Sequence, residues 1–272
     1  MDTITEKRVT ASARPQRATR CGEAPLEHME PISLAEMDAV ALLDRVDTKH
    51  VLQRAQLPQL LAALTPHYLV LEVAGVRQAR YRTLYFDTRQ LELYGWHHAG
   101  RAERFKVRSR AYVDSGLAFL EIKRKTNHGR TLKERMPTAA LLIEIGAEAD
   151  AFVSAATGAA LDALQPTLWN TFERITLVSN SLSERLTIDT NLRFEAHGSA
   201  CRLAGVAVVE VKQARRDRES QAVRELRALG VRPNGFSKYC LGVAMLYPTA
   251  KHNRFKPVLR EVKNLMRGGH DA

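Results

Sequence analysis

Between Arg104 and Arg110 a basic residue falls at every second position: Arg104, Lys106, Arg108 and Arg110. In an extended strand that spacing sends all four side chains to one face and Phe105 and Val107 to the other. Leu120–Lys125 repeats the arrangement, with Glu121, Lys123 and Lys125 on one side and Leu120 and Ile122 opposite. Turn residues Asp114, Ser115 and Gly116 separate the two as in a hairpin, and a third basic strand, Arg130–Met136, carries Lys133 and Arg135. A single row of this kind is the wet face of an ordinary strand. Several rows in succession are different, because like charges facing each other across a sheet destabilise it and call for an anion. Arginine forks grip phosphate oxygens in pairs and lysine supplies a point charge. If such rows face the inside of a closed sheet, the lumen becomes an electrostatic funnel for a phosphate chain.

Few acids share those faces. Glu121 sits among the cations, and Val209–Lys212 sets Glu210 beside Lys212. A carboxylate in such company stays ionised; it either holds a divalent metal through oxygen or neutralises its neighbours. Either role is open to both, and Asp189, on a face with Arg185 and Thr187, lines the tunnel or caps a turn. His97 and His98, adjacent in sequence, read as surface histidines rather than a metal pair. Tyr112 and Tyr239 read as wall packing.

The elements that must position these residues are mainly strands. The chain has 272 residues, 45% hydrophobic and 26% charged, enough for one generous domain with a real core. Its net charge of +11 makes a polyanion the first partner to consider, and residues 101–135 alone carry a surplus of seven positive charges. No apolar run approaches the ~20 residues that span a bilayer, and no apolar segment follows the basic start as in a secretory signal; a cytoplasmic protein is expected. Three cysteines without metal or disulfide spacing are incidental thiols. Residues 1–27 are a polar, flexible arm. Ser33–Glu36 is a capping box opening a short helix. Strands are expected at Arg45–Gln53, Tyr68–Val73, Arg80–Asp87, Thr171–Val178, Glu184–Leu192 and Gly205–Lys212. Helices are expected at Leu57–Leu64, within the Ala-rich Ala139–Ala160, at Arg218–Leu229 and from Ser237 to Leu246. Residues 251–272 read as a basic tail, leaving one domain over 28–250. The pattern predicts an α+β, mainly β fold, an antiparallel sheet closed into a β-barrel tunnel with flanking helices.

An ordered set of segments carries a resemblance. It comprises Asp47-Thr48-Lys49, Leu84-Tyr85-Phe86-Asp87-Thr88, Lys106–Tyr112, Leu120–Lys125, Leu132-Lys133-Glu134-Arg135, Leu186–Thr190, Val209–Lys212 and Phe236-Ser237-Lys238-Tyr239. Together these resemble the VTC domain, the polyphosphate-polymerase domain of the vacuolar transporter chaperone complex in the triphosphate tunnel metalloenzyme superfamily. The resemblance runs from about Arg45 to Leu246. It implies a tunnel lined by Arg and Lys, with a glutamate holding Mn2+ or Mg2+ on bound phosphates. Lys49, Arg108, Arg110, Lys125, Lys133, Arg174 and Lys238 match its phosphate-binding positions and Glu210 its metal-holding glutamate. Lys123, Arg185, Lys212 and Ser237 are wall or substrate-binding partners. The sequence contains neither the SPX domain nor the membrane helices of the eukaryotic polymerase subunits, so it resembles a stand-alone, bacterial-type member. It also lacks the Glu-x-Glu-x-Lys strand of CYTH-type triphosphatases.

The expected activity is phosphoryl transfer from ATP or another nucleoside triphosphate to a growing polyphosphate or pyrophosphate acceptor, by positioning and electrostatics without a covalent nucleophile. Two alternatives are an inorganic or nucleoside triphosphatase, with water as acceptor, and a non-catalytic polyphosphate-binding module. Nucleic acid is not an expected partner, because aromatic content is 6% and no aromatic-interleaved RNA-binding pattern is present. The oligomeric state is open.

Overall fold

A computed structural model describes residues 24–39, 46–127, 131–158, 161 and 163–268. In chain order the elements are α1 (Ala24–Glu27), β1 (Pro31–Ile32), α2 (Leu34–Ala39), β2 (Val46–Gln53), α3 (Leu57–Leu64), β3 (Tyr68–Leu71), β4 (Gln78–Asp87), α4 (Glu92–Ala99), β5 (Arg104–Tyr112) and β6 (Leu117–Lys125). There follow β7 (Thr131–Thr138), α5 (Ala147–Thr157), β8 (Gln165–Ser179), β9 (Glu184–Ala196), β10 (Ser199–Arg202), β11 (Val206–Gln213), α6 (Gln221–Ala228), β12 (Pro233–Asn234), α7 (Lys238–Leu246) and α8 (Lys256–Gly268). The arm expected over residues 1–27 lies mostly outside the described residues. The capping box forms as read: Ser33 N donates to Glu36 Oε2 at 2.9 Å and Glu36 N to Ser33 Oγ at 3.3 Å.

All strands join one sheet, with the main order β12-β2-β11-β9-β8-β4-β5-β6-β7 and antiparallel neighbours throughout that path. The expected closure into a barrel does not occur, since β12 and β7 are the two ends of this order and do not pair. The reason is local at one end: β12 is two residues long, and its Pro233 has no N–H to offer a neighbour. The sheet nevertheless curls strongly. From β11 to β6 is five strand steps, about 24 Å if flat, yet the charge of Lys123 on β6 acts on Glu210 of β11.

Alternation divides the strands into two faces, its phase reversing within β9 at a bulge beside Asn191, whose φ is 53°. The outer face carries Leu52, Ile175, Leu186, Ile188, Val209 and Val211, covered by α3 and α6, and Leu84, Phe86, Val107, Leu120 and Ile122, covered by α5. On the inner face Val51, Tyr85, Leu168, Phe194 and Val208 pack under α7 and α8. Gly242 lets α7 lie directly on the sheet, because a Cβ there would collide with Leu168 and Phe194. Asp87 ties α7 to α4: its carboxylate accepts from the backbone N–H groups of Leu93 and Tyr94, both at 2.9 Å, and from the Tyr239 hydroxyl. Two expectations shift. Among the described residues of the Ala-rich stretch, Ala147–Thr157 is helical, and the basic C-terminal segment contains α8, which buries Leu259 and Val262.

Candidate functional site: three carboxylates in a basic trough

Strand alternation puts every expected site residue on the strands at an inner-face position, and the cross-strand register groups them. Arg108 lies opposite Glu121, and Lys49 opposite Glu210. Glu210 in turn faces Thr187, and Asp189 faces Arg174. Three carboxylates thus organise the basic residues.

Glu121 is the most enclosed, with no exposed surface. Arg108 Nε donates to its Oε2 at 2.7 Å and Arg108 Nη2 lies 2.6 Å from the same oxygen. Arg110 Nη1 stands at 3.7 Å, and Lys133 Nζ pairs with Oε1. Burial would raise the carboxyl's pKa, but Arg108, Arg110 and Lys133 overcome it and hold Glu121 far below the usual carboxylate range. Of the two readings open for Glu121, neutralisation fits this arrangement.

Glu210 has lysines for partners. Lys212 Nζ is 2.7 Å from Oε2 and Lys49 Nζ 3.6 Å from Oε1. Burial again raises its pKa, and Lys212, Lys49 and Lys123 outweigh it, leaving the group well below its ordinary value. Lys49 also donates to the Phe236 carbonyl at 3.2 Å, which fixes the chain leading into α7.

Asp189 is gripped at both oxygens, by Arg174 Nε at 2.6 Å and Arg174 Nη2 at 2.8 Å. Lys238, the first residue of α7, pairs with Oδ2. Burial pushes the Lys238 ammonium down to about 7, with Asp189 opposing the shift and Arg174 adding to it. Burial likewise lowers Lys133 and Lys106 to about 8 each and holds Lys123 well below its ordinary value. Lysines depressed in this way are the mark of cations crowded together out of water.

Not every expected residue joins these groups. Lys125 lies at the end of β6 opposite Arg104. Arg185 donates to the Met37 carbonyl at 3.0 Å. The Ser237 hydroxyl accepts from Cys240 N at 3.3 Å and caps α7, so it positions Lys238. His97 and His98 lie on α4 rather than on a strand or loop; His97 Nε2 contacts the Phe105 carbonyl at 2.9 Å, and burial pushes the ring down to about 2. Among the described residues, no three His, Cys, Asp or Glu side chains gather as a metal group. A hard divalent cation such as Mg2+ is commonly held by one or two carboxylates, with substrate phosphates completing the shell. Glu210, whose oxygens are held by flexible lysine stems that can turn to phosphate, fits that mode.

The profile of the VTC domain matches residues 44–247, three quarters of the sequence. The chain belongs to the VTC domain family. No curated protein matches it. Among solved structures, similar folds include a candidate adenylate cyclase from Bacillus halodurans, at 12% identity and TM-score 0.49, covering 75% of this chain and 97% of that one. A conserved hypothetical protein from Pyrococcus furiosus follows at 14% identity and TM-score 0.39, covering 71% and 98%. A Pyrococcus horikoshii protein has 12% identity and TM-score 0.41, covering 74% and 98%.

Within this VTC domain the trough takes in two further groups. Asp189, on the face of Arg185 and Thr187, lies across the ladder from Arg174. Lys106, visible in the basic row, sits inward with the others. No helix of the described residues is long and apolar enough to cross a membrane.

Proposed function

We propose that this VTC domain binds a triphosphate along the basic trough and transfers its terminal phosphoryl group, extending a polyphosphate chain from a nucleoside triphosphate such as ATP. The observation that carries the reading is the convergence of cations from β2, β5, β6, β7, β8, β11 and α7 around three carboxylates on one inner face. A triphosphate carries charge along its length, and a linear set of fixed cations matches it.

Each residue then has a defined task. Arg108, fixed by Glu121, Arg110, which donates to Thr83 Oγ1 at 3.2 Å, and Arg174, fixed by Asp189, present guanidinium edges to phosphate oxygens in a preset orientation. Lys49, Lys123, Lys133, Lys212 and Lys238 add point charges, and a polyanion would favour the ammonium forms that burial disfavours at Lys123, Lys133, Lys212 and Lys238. Glu210 would hold Mn2+ or Mg2+ against the phosphates; when bound, the cation withdraws negative charge from the phosphoryl oxygens. The trough residues hold the acceptor in line with the transferred group and exclude competing water. Where water enters instead, the same groups support triphosphate hydrolysis.

The test is to incubate the purified protein with ATP and Mn2+ and resolve the products. Polyphosphate supports the polymerase reading, and free phosphate alone would replace it with a triphosphatase. Salt-sensitive binding without turnover would leave a polyanion-binding module.

A further inference from the structure

The inner face changes character along the strands. On β5 the inward row runs Lys106, Arg108, Arg110 and then Tyr112; on β6 it runs Lys123, Glu121, Phe119 and then Leu117. On β4 Tyr81 lies directly opposite Tyr112, and Arg110 lies opposite Phe119. Beyond the arginines, therefore, the trough is walled by rings. Tyr81 and Tyr112 have ring centroids 5.0 Å apart, and Tyr112 meets Phe119 edge-on at 5.9 Å. All three are half-buried, and Leu117 beside them is 50% exposed. Tyr81 is itself stacked on Phe172, ring centroids 5.0 Å apart, and the row opens to solvent on the Leu117 side, by Tyr112 and Phe119.

Cations join this patch to the phosphate groups. The Arg110 guanidinium carbon is 5.5 Å from the Tyr81 ring centre while its Nη1 stands 3.7 Å from Glu121. The Arg135 guanidinium lies 4.9 Å over the Phe119 ring. A ligand that is anionic at one end and flat and aromatic at the other would meet matching chemistry at both.

We infer that the Tyr81–Tyr112–Phe119 patch, with Arg135 at its edge, is a stacking site for the base of a nucleoside triphosphate whose phosphates lie on Arg110 and its neighbours. The inference rests on the triphosphate reading above and adds where the nucleoside goes, and so which way round the donor enters. Stacking on an aromatic ring tolerates any base, because every base has a π-face. The site accordingly favours nucleotides over inorganic triphosphate without choosing strongly among them.

The experiment compares ATP with inorganic tripolyphosphate by calorimetric titration, without turnover, on the wild-type chain and on Phe119→Leu and Tyr112→Ala. Saturation-transfer NMR on the adenine protons is run in parallel. Phe119→Leu keeps apolar bulk without a π-face and guards against a folding defect in Tyr112→Ala. The expected result is about a tenfold loss of ATP affinity in each variant, unchanged tripolyphosphate affinity, and strong saturation of the adenine H2 and H8 signals in the wild type. The rescue variant Tyr112→Phe, which keeps the ring, should bind ATP normally. Equal losses for both ligands, or no loss for either, would overturn the stacking site while leaving the triphosphate reading standing. Failure of the wild type to bind either ligand would overturn both.

Discussion

Glu121 and Glu210 occupy equivalent positions on two arms of the same curled sheet, each pointing inward among cations, and the difference lies in their partners. Glu121 is locked at Oε2 by the Arg108 fork, with Lys133 at Oε1, and it has no exposed surface. Glu210 is held by lysines on long stems, and its side chain retains 14% exposure. A planar guanidinium commits its donors to a direction, whereas an ammonium can turn from one acceptor to another at little cost. The same charge balance therefore makes a fixed scaffold in one place and an exchangeable site in the other.

The sharpest way to break that comparison is to neutralise each carboxylate in turn. Glu121→Gln leaves the buried Arg108 and Arg110 without their counter-charge, and the loss should be about 3–5 kcal/mol of stability. Glu210→Gln should cost about 1–2 kcal/mol but abolish metal-dependent turnover while leaving triphosphate binding largely intact. Urea unfolding and phosphate release measure both; equal destabilisation by the two variants, or unchanged turnover in Glu210→Gln, removes the distinction.

Next in size are the arms that grip phosphate. Arg108→Ala or Lys238→Ala should weaken tripolyphosphate binding by about 1–3 kcal/mol, the range for a charge-assisted contact. Normal binding by both would mean that the basic rows serve the fold alone.

A smaller effect comes from pH, and its sign differs between binding and folding. Lys238 is lowered to about 7, and Lys106 and Lys133 to about 8, from an ordinary value of 10.5. Between pH 7 and 9 the unfolded chain keeps more protons on these lysines than the folded one, so their contribution to stability rises with pH. Over the same window the ammonium groups that meet phosphate are lost, so binding weakens by several-fold. Lys238→Arg, which stays charged, should flatten the lower part of that binding profile. A profile identical to the wild type would show that Lys238 does not titrate in contact with the ligand.

Much of this was legible in the sequence because period two is a strong signal. β5, β6 and β11 alternate so regularly that the inner face and its cations follow from spacing alone, and the capping box at Ser33 marks α2. Closure was not legible. Alternation says which residues share a face, but whether the end strands meet depends on the reach of β12, cut short at two residues. The helix α4 was missed because its core-facing residues, Leu93 and Tyr94, are too few to show a period, and its start is set by Asp87 from the preceding strand. Which carboxylate is locked and which is exchangeable depends on whether Arg or Lys stands across the ladder. That register is fixed only when the strands pair.

The most direct test of the central claim is calorimetric titration of tripolyphosphate into the wild-type chain and into an Arg108→Ala, Arg174→Ala double variant. Saturable, salt-sensitive binding at one ligand per chain, lost in the double variant, is the predicted result. Absence of saturable binding, or binding of equal strength in the double variant, would contradict it.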